Sequence, residues 1–320
     1  MWCTADTGWS KAGTSILFGP WSCGAATLFY HGPFDPRERL ALIARHRVTV
    51  FCAAATEFRR LVNEEVSGFD LSALRLAVSA GESVNPEIVR RWSALTGVAL
   101  LDGYGQTETL MTVLNYRCMP VKPGSMGRPL PGIEIALLDG DGRAQRGAAT
   151  GQLAISLPNP QLMIGYWNEP ERTAAGKTML DGIEYWLTGD VVRSDEDGYL
   201  FYEGRADDII SSAGYRIGPM EVESALIEHP AVQESAAVAK PDLERGEIVK
   251  AFVVLKPGFA PGAALAHDLR EHVKRVTAPY KYPREVEFVA ELPKNASGKL
   301  LRRLLRDREY AAAAARASKR

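Results

Sequence analysis

The segment Asp102–Glu108 reads Asp-Gly-Tyr-Gly-Gln-Thr-Glu and combines residue types that could hold a nucleotide and a metal ion. Its Gly-x-Gly-x-x-Glu spacing is similar to a dinucleotide-binding fingerprint, but Glu108 stands where that fingerprint has its third glycine. A carboxylate there would repel a pyrophosphate, so a dinucleotide fold is disfavoured. A carboxylate is instead a suitable ligand for a divalent cation that bridges phosphates. Thr107 could donate a hydrogen bond to a phosphate oxygen, and Tyr104 offers a flat face for a purine.

A second set of polar residues lies on either side of position 200. The tripeptide Thr188-Gly189-Asp190 follows a strand-like run and, on its own, is more often a turn than a binding site. Arg205 follows fifteen residues after Asp190. Together the two could hold a ribose, because a carboxylate can accept hydrogen bonds from both hydroxyls of the diol. The sequence pattern changes at Gly204–Asp208, which we interpret as a hinge carrying a ligand-binding arginine.

Two segments contain lysines that could contact phosphate. Gly176-Lys177-Thr178 ends like a Walker A loop, but Glu171 occupies the position of the first glycine of that motif and no predicted strand precedes it. We therefore do not assign a phosphate to it. The polar loop Pro293–Lys299 places a lysine just ahead of a predicted helix. Because a loop lysine is usually solvated, Lys299 becomes a candidate only together with the other motifs.

The predicted secondary structure supplies a scaffold for these residues. Up to about residue 130, short strands alternate with helices whose first turns carry capping residues, as at Asp35-Pro36 and Asn85-Pro86. This alternation favours a mainly parallel α/β sheet, in which ligands bind at the carboxyl ends of the strands. The predicted helices cover residues 36–46 and 86–92, and the predicted strands cover residues 48–51, 74–79 and 98–102.

From Gly127 the pattern changes to antiparallel hairpins, with strands predicted at residues 133–138, 151–157 and 199–202, which could form a distorted barrel. The turns at 139–142 and 195–198 lack most ligands of a calcium loop, so ordinary hairpin turns are favoured. After Asp208 the pattern is compact α+β. Helices are predicted at 219–228, 265–275 and 300–310, and strands at 233–239, 249–255 and 286–289.

Composition excludes several classes of protein. The 320 residues are 46% hydrophobic and 24% charged, as in ordinary globular proteins, and the length predicts two domains or one large one. A net charge of −1 gives no electrostatic footprint for nucleic acid or an anionic membrane. The histidines and cysteines show no metal-ligand spacing, and the cysteines are expected to be buried, reduced thiols. No signal peptide or membrane span is expected, and a cytoplasmic location is predicted.

Seven motifs, taken together, carry a resemblance to a known family. They are Ala5–Trp9, Gly81–Glu87, Asp102–Glu108, Trp186–Asp190, Gly204–Asp208, Ser212–Gly218 and Ser297–Lys299. In this order they resemble the adenylate-forming (AMP-dependent) acyl-CoA synthetases, and most closely the medium-chain members. The resemblance runs from Met1 to about Tyr310. It implies an α/β fold, in which a partial large domain with a mainly parallel sheet and a distorted β-barrel precedes a small α+β C-terminal domain.

The resemblance also implies domain boundaries. Residues 1–204 would be the remainder of the AMP-binding large domain, 205–208 the hinge and 209–310 the C-terminal domain. Residues 311–320 would be a disordered tail.

The implied activity consists of two half-reactions, with ATP, Mg²⁺ and coenzyme A as cofactors. A carboxylic acid attacks the α-phosphate of ATP to give an acyl-adenylate, and the thiol of coenzyme A then displaces AMP. The implied nucleotide-binding residues are Gly81, Glu82, Ser83, Asp102, Gly103, Tyr104, Gly105, Gln106, Thr107, Asp190, Arg205, Arg216 and Lys299. Glu108 is implied to bind magnesium. Lys299 is implied to stabilise the transition state, because a fixed ammonium offsets the charge that gathers there.

Coenzyme A has separate implied contacts. Rotation of the small domain about Asp207 is implied to replace Lys299 in the active site with the loop Ser212–Tyr215. The implied contacts in that loop are Ala213, Gly214 and Tyr215. Arg245 and Arg284 are outer candidates for the phosphates of coenzyme A, although plain surface charge explains them equally well. The stretch Thr277–Arg284 also favours coenzyme A over a carrier protein as the acyl acceptor.

Acyl selectivity is implied by Gly105. Acetyl-CoA synthetases have a tryptophan at this position that closes the pocket, so glycine predicts room for a medium-chain or aryl acid. Trp9 and Trp21 are the candidate apolar walls of that pocket.

One family feature is absent from the sequence. The phosphate loop, a Ser/Thr/Gly-rich stretch that ends in Pro-Lys, is expected ahead of residue 1, and no such run occurs in the chain. We therefore expect an N-terminally truncated member with open sheet edges. Two alternatives stay open: a non-catalytic AMP- or acyl-adenylate-binding protein or partner subunit, and an adenylation domain that loads a carrier protein. Assembly into a homo-oligomer is also left open.

Overall fold

The computed structural model of the chain describes residues 1–294 and 300–317. The chain divides into two compact units. The first comprises Met1–Thr188 and Val192–Tyr202, and the second comprises Gly189–Val191 and Glu203–Arg320. Asp190 and its two neighbours therefore belong to the second unit, although they lie within a strand whose other residues belong to the first.

Among the described residues, eleven strands form one sheet, nearly all of it in the first unit. They are β1 Trp2–Cys3, β2 Val50–Ala53, β3 Leu76–Ala80, β4 Leu100–Gln106, β5 Leu110–Leu114, β6 Ser125–Pro129, β7 Ile135–Leu138, β8 Thr150–Ser156, β9 Lys177–Leu180, β10 Ile183–Ser194 and β11 Leu200–Arg205. Their spatial order is β1-β2-β3-β4-β5-β6-β11-β10-β8-β7, and β9 pairs with β10. Strands β1 to β4 are parallel, and from β4 onward the pairing becomes antiparallel. This confirms the predicted α/β class and shows that the antiparallel strands continue the parallel sheet.

Short helices connect the strands of the first unit. They are α1 Ser10–Ala12, a π-helical segment Gly13–Phe18, α2 Gly19–Ser22, α3 Pro36–Arg45, α4 Ala55–Leu61, α5 Pro86–Thr96 and α6 Pro170–Ala175. Helix α3 begins as predicted, because the Asp35 carboxylate accepts a hydrogen bond from the backbone N–H of Glu38 at 2.8 Å. Helix α5 begins in the same way at Asn85. It runs four residues beyond the predicted end, to Thr96, and is capped by Gly97, whose φ of +70° favours glycine.

An aromatic core fixes the parallel strands and their helices. Trp2, Phe51, Phe58 and Trp92 are each at most 1% exposed. The rings of Phe58 and Trp92 meet edge to face with their centroids 4.9 Å apart, and Phe51 packs against both. Because β2, α4 and α5 each contribute a ring, this core ties the two helices to the sheet.

The second unit is an α+β fold of its own. Its remaining strands are β12 Ile210–Ser212, β13 Tyr215–Ile217, β14 Val232–Asp242, β15 Gly246–Leu255 and β16 Glu285–Phe288, in the order β13-β12-β15-β14 with β16 parallel to β15. Its helices are α7 Pro219–Ile227, α8 Ala263–Val276 and α9 Arg302–Ala317. Helix α9 continues past Ala311, where the sequence had predicted a disordered tail.

Two of the four cysteines do not fit the expectation of buried thiols. Cys3 and Cys52 are buried opposite each other on β1 and β2, whereas Cys23 and Cys118 are exposed. Exposure could not be read from the sequence, because both residues lie in irregular segments. Within the described residues, no helix combines the length and apolar character needed to cross a membrane.

Candidate functional site

The turn between β4 and β5 presents Thr107 and Glu108. Gln106 pairs with Leu110 across the two strands, so only three residues form the turn. The buried hydroxyl of Thr109 accepts a hydrogen bond from the backbone N–H of Gln106 at 3.2 Å and holds the turn from inside. Thr107 is exposed and Glu108 is half-buried. The hairpin tip therefore carries the hydroxyl and the carboxylate that the sequence suggested for a phosphate and a cation.

Glu108 is held at two points by the loop that follows β8. Its backbone carbonyl oxygen accepts a hydrogen bond from the N–H of Met163 at 2.7 Å. Its carboxylate oxygen Oε1 accepts a hydrogen bond from the hydroxyl of Tyr166 at 2.8 Å. The sequence did not single out Tyr166, because 58 residues separate it from Glu108 and no local motif links them. An aromatic residue after Gly165, in a loop between predicted strands, was the only signal.

The sheet register brings Gly81–Ser83 next to Asp102. Strands β3 and β4 are parallel neighbours with Ala80 opposite Gly103, so β3 ends beside the middle of β4, next to Asp102 and Gly103. The Asp102 carboxylate accepts hydrogen bonds from the backbone N–H groups of Val84, at 3.2 Å, and Gly103, at 2.9 Å. Burial raises the pKa of Asp102 to about 7, although these two N–H groups act in the opposite direction. Asp102 thus joins β4 to the segment that follows β3, and both were predicted to surround adenine.

Glu82 connects this region to helix α4. Its Oε1 accepts a hydrogen bond from the backbone N–H of Thr56 at 2.9 Å. Gly81 has a φ of +101°, which favours glycine and turns the chain out of β3. Glu82 and Ser83 are both half-buried. The side chain of Glu82 therefore ties the segment after β3 to the first turn of α4.

Gly103 and Gly105 allow β5 to approach β4 closely. A Cβ atom on Gly105 would overlap the backbone carbonyl oxygen of Leu110, and one on Gly103 would overlap the side chain of Leu114. The missing side chain of Gly105 therefore faces backbone, and strand packing alone explains a glycine there. Whether Gly105 also makes room for an acyl group stays a prediction.

The other residues predicted for the first unit are spread across it. Tyr104 is 8% exposed and belongs to the apolar cluster of the antiparallel strands, which leaves little of its ring open to a purine. Gln106 Nε2 donates to the backbone oxygen of Thr188 at 2.8 Å. Trp9 is half-buried. Trp21 is 56% exposed, so it does not line an enclosed pocket here, and its role as a wall stays a prediction.

In the second unit, Asp190 and Arg205 form an ion pair. Arg205 Nη1 lies 3.3 Å from Asp190 Oδ1, and Asp190 is only 4% exposed. The backbone N–H of Ala206 donates to the oxygen of Gly189 at 2.9 Å, which joins the two segments. A Cβ atom on Gly189 would collide with the guanidinium of Arg205. The two residues that the sequence paired at a distance of fifteen positions are thus in contact, and their ribose contact stays a prediction.

Strands β12 and β13 form a tight hairpin. Ser212 pairs with Tyr215, so the turn consists of Ala213 and Gly214 alone. Their φ values of +50° and +84° are those that a two-residue hairpin turn of type I′ requires. The backbone N–H of Ala213 donates to the carbonyl oxygen of Arg245 at 3.0 Å. The structure therefore brings Arg245 to the loop that the sequence assigned to coenzyme A.

Tyr215 stacks on Tyr280, with ring centroids 4.2 Å apart and an interplanar angle of 16°. Both rings are partly exposed, at 52% and 41%. The stretch Thr277–Arg284, which the sequence linked only weakly to coenzyme A, thus reaches the loop through Tyr280. Arg216 is exposed next to Tyr215. Arg284 packs its guanidinium 5.1 Å from the ring of Tyr282.

The remaining predicted residues are the hinge and the catalytic lysine. The side chain of Asp207 is 68% exposed, and its backbone oxygen accepts a hydrogen bond from Arg306 at 2.6 Å. Arg306 was not singled out from the sequence, where it is one of several arginines in a basic helix. Lys299 lies outside the described residues.

The donor set at the hairpin tip suits a divalent cation that arrives with a nucleotide. Glu108 supplies a carboxylate, and oxygen donors are those that Mg²⁺ prefers. Thr107 beside it supplies a hydroxyl that could donate a hydrogen bond to a phosphate oxygen. Within the described residues, no three His, Cys, Asp or Glu side chains are placed to hold a metal by themselves. A cation here would therefore complete its coordination with phosphate oxygens and water, as Mg²⁺ commonly does.

Comparison with known proteins defines the class. Residues 1–167 match the family model described as AMP-binding enzyme, and residues 221–299 match the model described as AMP-binding enzyme C-terminal domain. The chain therefore belongs to the AMP-binding enzyme family. The resemblance that the seven motifs predicted is confirmed.

Three relatives illustrate the similarity. Over 316 residues the chain is 45% identical to the acyl-coenzyme A synthetase ACSM3, mitochondrial, of Mus musculus, covering 97% of this chain and 54% of that protein. It is 46% identical over 310 residues to the uncharacterized acyl-CoA ligase YtcI of Bacillus subtilis (strain 168). That match covers 97% of this chain and 58% of the relative. The solved structure of the anthranilate CoA ligase AuaEII with anthranoyl-AMP is 35% identical in sequence, with a TM-score of 0.88. The match covers 98% of this chain and 60% of that one. The chain thus spans between half and two thirds of the length of each relative.

Proposed function

We propose that the chain acts as an ATP-dependent acid–thiol ligase, which activates a carboxylic acid as its acyl-adenylate and transfers the acyl group to coenzyme A. The observation that carries the proposal is the 45% identity to an acyl-coenzyme A synthetase over 97% of this chain. The geometry of each unit is consistent with it. The first presents a hydroxyl and a carboxylate at one hairpin tip, and the second holds an Asp–Arg pair and an exposed hairpin beside Tyr280.

The proposed nucleotide contacts follow these groups. Adenine would lie against Gly81–Ser83 and Asp102–Gln106, which are neighbours because β3 ends beside Gly103 of β4. The ribose would meet Asp190 and Arg205, because the carboxylate can accept hydrogen bonds from both hydroxyls. Thr107 and Arg216 would contact phosphate.

Glu108 would bind Mg²⁺, which supplies charge neutralisation at the phosphates when it is bound. Lys299 would hold an ammonium beside the attacking carboxylate oxygen and the α-phosphate, where fixed positive charge stabilises the transition state. This role of Lys299 follows from the family motif Ser297–Lys299. Loss of Lys299 should therefore depress adenylation far more than thioester formation.

For the acceptor, we favour coenzyme A over a carrier protein. The hairpin Ala213-Gly214, the carbonyl oxygen of Arg245 and the Tyr215–Tyr280 stack lie together and leave ring surface exposed. Such a surface suits a small thiol ligand with a flat base. Arg245 and Arg284 are the cations proposed for its phosphates, and Asp207 is the proposed pivot.

For the acid, we propose a medium-chain or aryl carboxylate. The relative that carries anthranoyl-AMP acts on an aryl acid, which is consistent with this choice. The kcat/KM for octanoate and for benzoate should exceed that for acetate by about tenfold or more, because the larger acyl group buries more apolar surface, at about 0.8 kcal/mol per methylene for the alkyl chain. Equal turnover of acetate and octanoate would contradict the proposal.

The test of the ligase itself is acid-dependent exchange of pyrophosphate with ATP by the full chain, with AMP binding measured in parallel by calorimetry. The proposal predicts exchange with octanoate or benzoate, and loss of AMP affinity in Arg205→Ala. Arg143→Ala, in an exposed hairpin turn, is the matched control and should behave as the unsubstituted chain does. AMP binding without exchange would favour the non-catalytic binding protein.

The division of the chain between Tyr202 and Glu203 supports a boundary near residue 204, and we propose the domains 1–204 and 209–310 with the hinge 205–208 between them. A cytoplasmic location and assembly into a homo-oligomer stay predictions.

A further inference from the structure

We propose that Tyr166 is a positioning residue that orients the Glu108 carboxylate toward the divalent cation that accompanies the nucleotide. The contact is direct, because the Tyr166 hydroxyl donates to Glu108 Oε1 at 2.8 Å. Both residues lie in the first unit. The inference rests on the proposed function in one respect, namely the assignment of Glu108 as a magnesium ligand.

Tyr166 is itself held by several contacts from helix α6. Its backbone N–H donates to Thr173 Oγ1 at 2.9 Å. The guanidinium of Arg172 lies 4.0 Å from the centre of its ring, and Glu169 holds that guanidinium in turn at 2.8 Å. Trp186 packs nearby, with the ring centroids 6.5 Å apart. The hydroxyl is therefore the tip of a group that is fixed at its backbone and at its ring.

The geometry leaves the carboxylate able to bind a cation. A carboxylate has two oxygens that together offer about four acceptor sites, and the phenol occupies one of these on Oε1. A flexible glutamate on a hairpin tip would otherwise sample several rotamers, only some of which direct its oxygens to one point. The hydrogen bond therefore selects one orientation of the carboxylate and leaves its other acceptor sites available to a cation, as groups that hydrogen-bond to metal ligands commonly do.

The backbone around Glu108 supports the same conclusion. The N–H of Met163 donates to the carbonyl oxygen of Glu108 at 2.7 Å, so one loop holds both the main chain and the side chain of this residue. A purely structural tyrosine could fill this space with its ring alone. The hydroxyl adds a hydrogen bond to the one carboxylate at the hairpin tip.

The test uses the full chain and the variant Tyr166→Phe, which keeps the ring and its cation–π contact. The matched control is Tyr199→Phe, which also removes a phenolic hydrogen bond, from the hydroxyl to the backbone oxygen of Pro120 at 2.6 Å. Electron paramagnetic resonance measures Mn²⁺ binding in the presence of ATP. We expect Tyr166→Phe to weaken Mn²⁺ binding about tenfold, as loss of a group that orients a metal ligand commonly does, while Tyr199→Phe leaves it unchanged.

A double variant separates positioning from general damage. In the Glu108→Gln background, Tyr166→Phe should have no further effect on Mn²⁺ affinity, because the group through which it acts is gone. This comparison also decides the matter if Tyr166→Phe proves less stable than the control. Equal Mn²⁺ affinity in Tyr166→Phe and Tyr199→Phe would overturn the inference. The inference would also fail if Tyr166→Phe lowered Mn²⁺ affinity by the same factor with Glu108 present and in the Glu108→Gln background.

Failure of the proposed function has a different signature. If Mn²⁺ and ATP bind and Tyr166→Phe weakens that binding, but no acid promotes pyrophosphate exchange, the ligase proposal fails and the inference on Tyr166 stands. If exchange occurs with the same metal dependence in both tyrosine variants, the inference fails and the ligase stands. A chain that shows no ATP-dependent Mn²⁺ binding would overturn both.

Discussion

The guanidinium of Arg306 donates to the backbone carbonyl oxygen of Asp207 at 2.6 Å, and also to Asp208 Oδ1 at 3.1 Å. Arg306 lies on α9, almost a hundred residues beyond the proposed hinge, and its side chain is 21% exposed. The peptide that follows the proposed pivot is thus fixed to a helix of the second unit. A backbone rotation at the proposed hinge would therefore have to occur at or before Asp207, or break these hydrogen bonds.

Removing the hydrogen bonds from Arg306 to Asp207 and Asp208 should loosen the backbone of the proposed hinge. Arg306→Gln loses hydrogen bonds that involve charged groups, each of which typically contributes about 1.5–3 kcal/mol, and partial exposure reduces that contribution. We expect the amides of Asp208 and Ile209 to exchange about tenfold faster, as measured by hydrogen–deuterium exchange. The control is Arg303→Gln on the same helix, whose side chain is 78% exposed and should contribute little. Unchanged amide exchange in Arg306→Gln would show that the Arg306 hydrogen bonds do not restrain the backbone of the proposed hinge.

Replacing Ala213 by glycine should stabilise the second unit. Ala213 has a φ of +50°, a left-handed conformation that costs a residue with a Cβ atom about 1–2 kcal/mol. Glycine removes this cost, but its greater flexibility in the unfolded chain offsets part of the stabilisation. We therefore expect the free energy of unfolding, measured in urea, to rise by about 0.5–1 kcal/mol. Ala278→Gly, at a loop position without positive φ, should instead lose stability. A loss in Ala213→Gly would contradict the proposed strain.

Asp102 should make the stability of the first unit depend on pH. Burial raises its pKa to about 7, well above the value of about 3.9 in an unfolded chain. The folded state therefore binds the proton more tightly, and this contribution to stability is full below about pH 4 and is lost as the pH rises toward 7. Asp102→Asn cannot ionise, so its unfolding free energy should fall less between pH 5 and pH 8. Urea titrations of both proteins at the two pH values measure the difference, and parallel curves would contradict it.

Gly105→Ala should destabilise the hairpin that carries Glu108. Because a Cβ atom at this position overlaps the backbone of Leu110, β5 must shift, and overpacking of this kind typically costs about 1–3 kcal/mol. Gly68→Ala is the control, since a Cβ atom there meets open space and no positive φ is involved. Thermal melting measures both. If Gly105→Ala keeps its stability and changes only the preference among acids, the glycine serves the acyl pocket and not strand packing.

The starts of helices α3 and α5 could be predicted from the sequence, whereas the end of strand β4 could not. The capped helices α3 and α5 were predicted well, because an acceptor side chain and a proline at a helix start act through neighbouring residues. The end of β4 was not, since Gly103-Tyr104-Gly105 has little strand propensity and becomes a strand only because β5 pairs with it. The motif Asp102–Glu108 can be read from the sequence as one of the family motifs, but its backbone conformation depends on residues that come later in the chain.

The sequence by itself determined the class of the protein, the parallel sheet, the small α+β fold and the pairing of Asp190 with Arg205. Each of these rests on local capping, on periodicity or on ordered motifs that can be read without coordinates. Tertiary structure alone decided that Tyr166 holds Glu108, that Arg306 holds the backbone of Asp207, and that a side chain at residue 105 would strike the backbone of Leu110. The physical reason is that hydrogen bonds and steric overlap depend on distances of a few ångströms between groups far apart in sequence, and the sequence pattern of either partner carries no trace of the other.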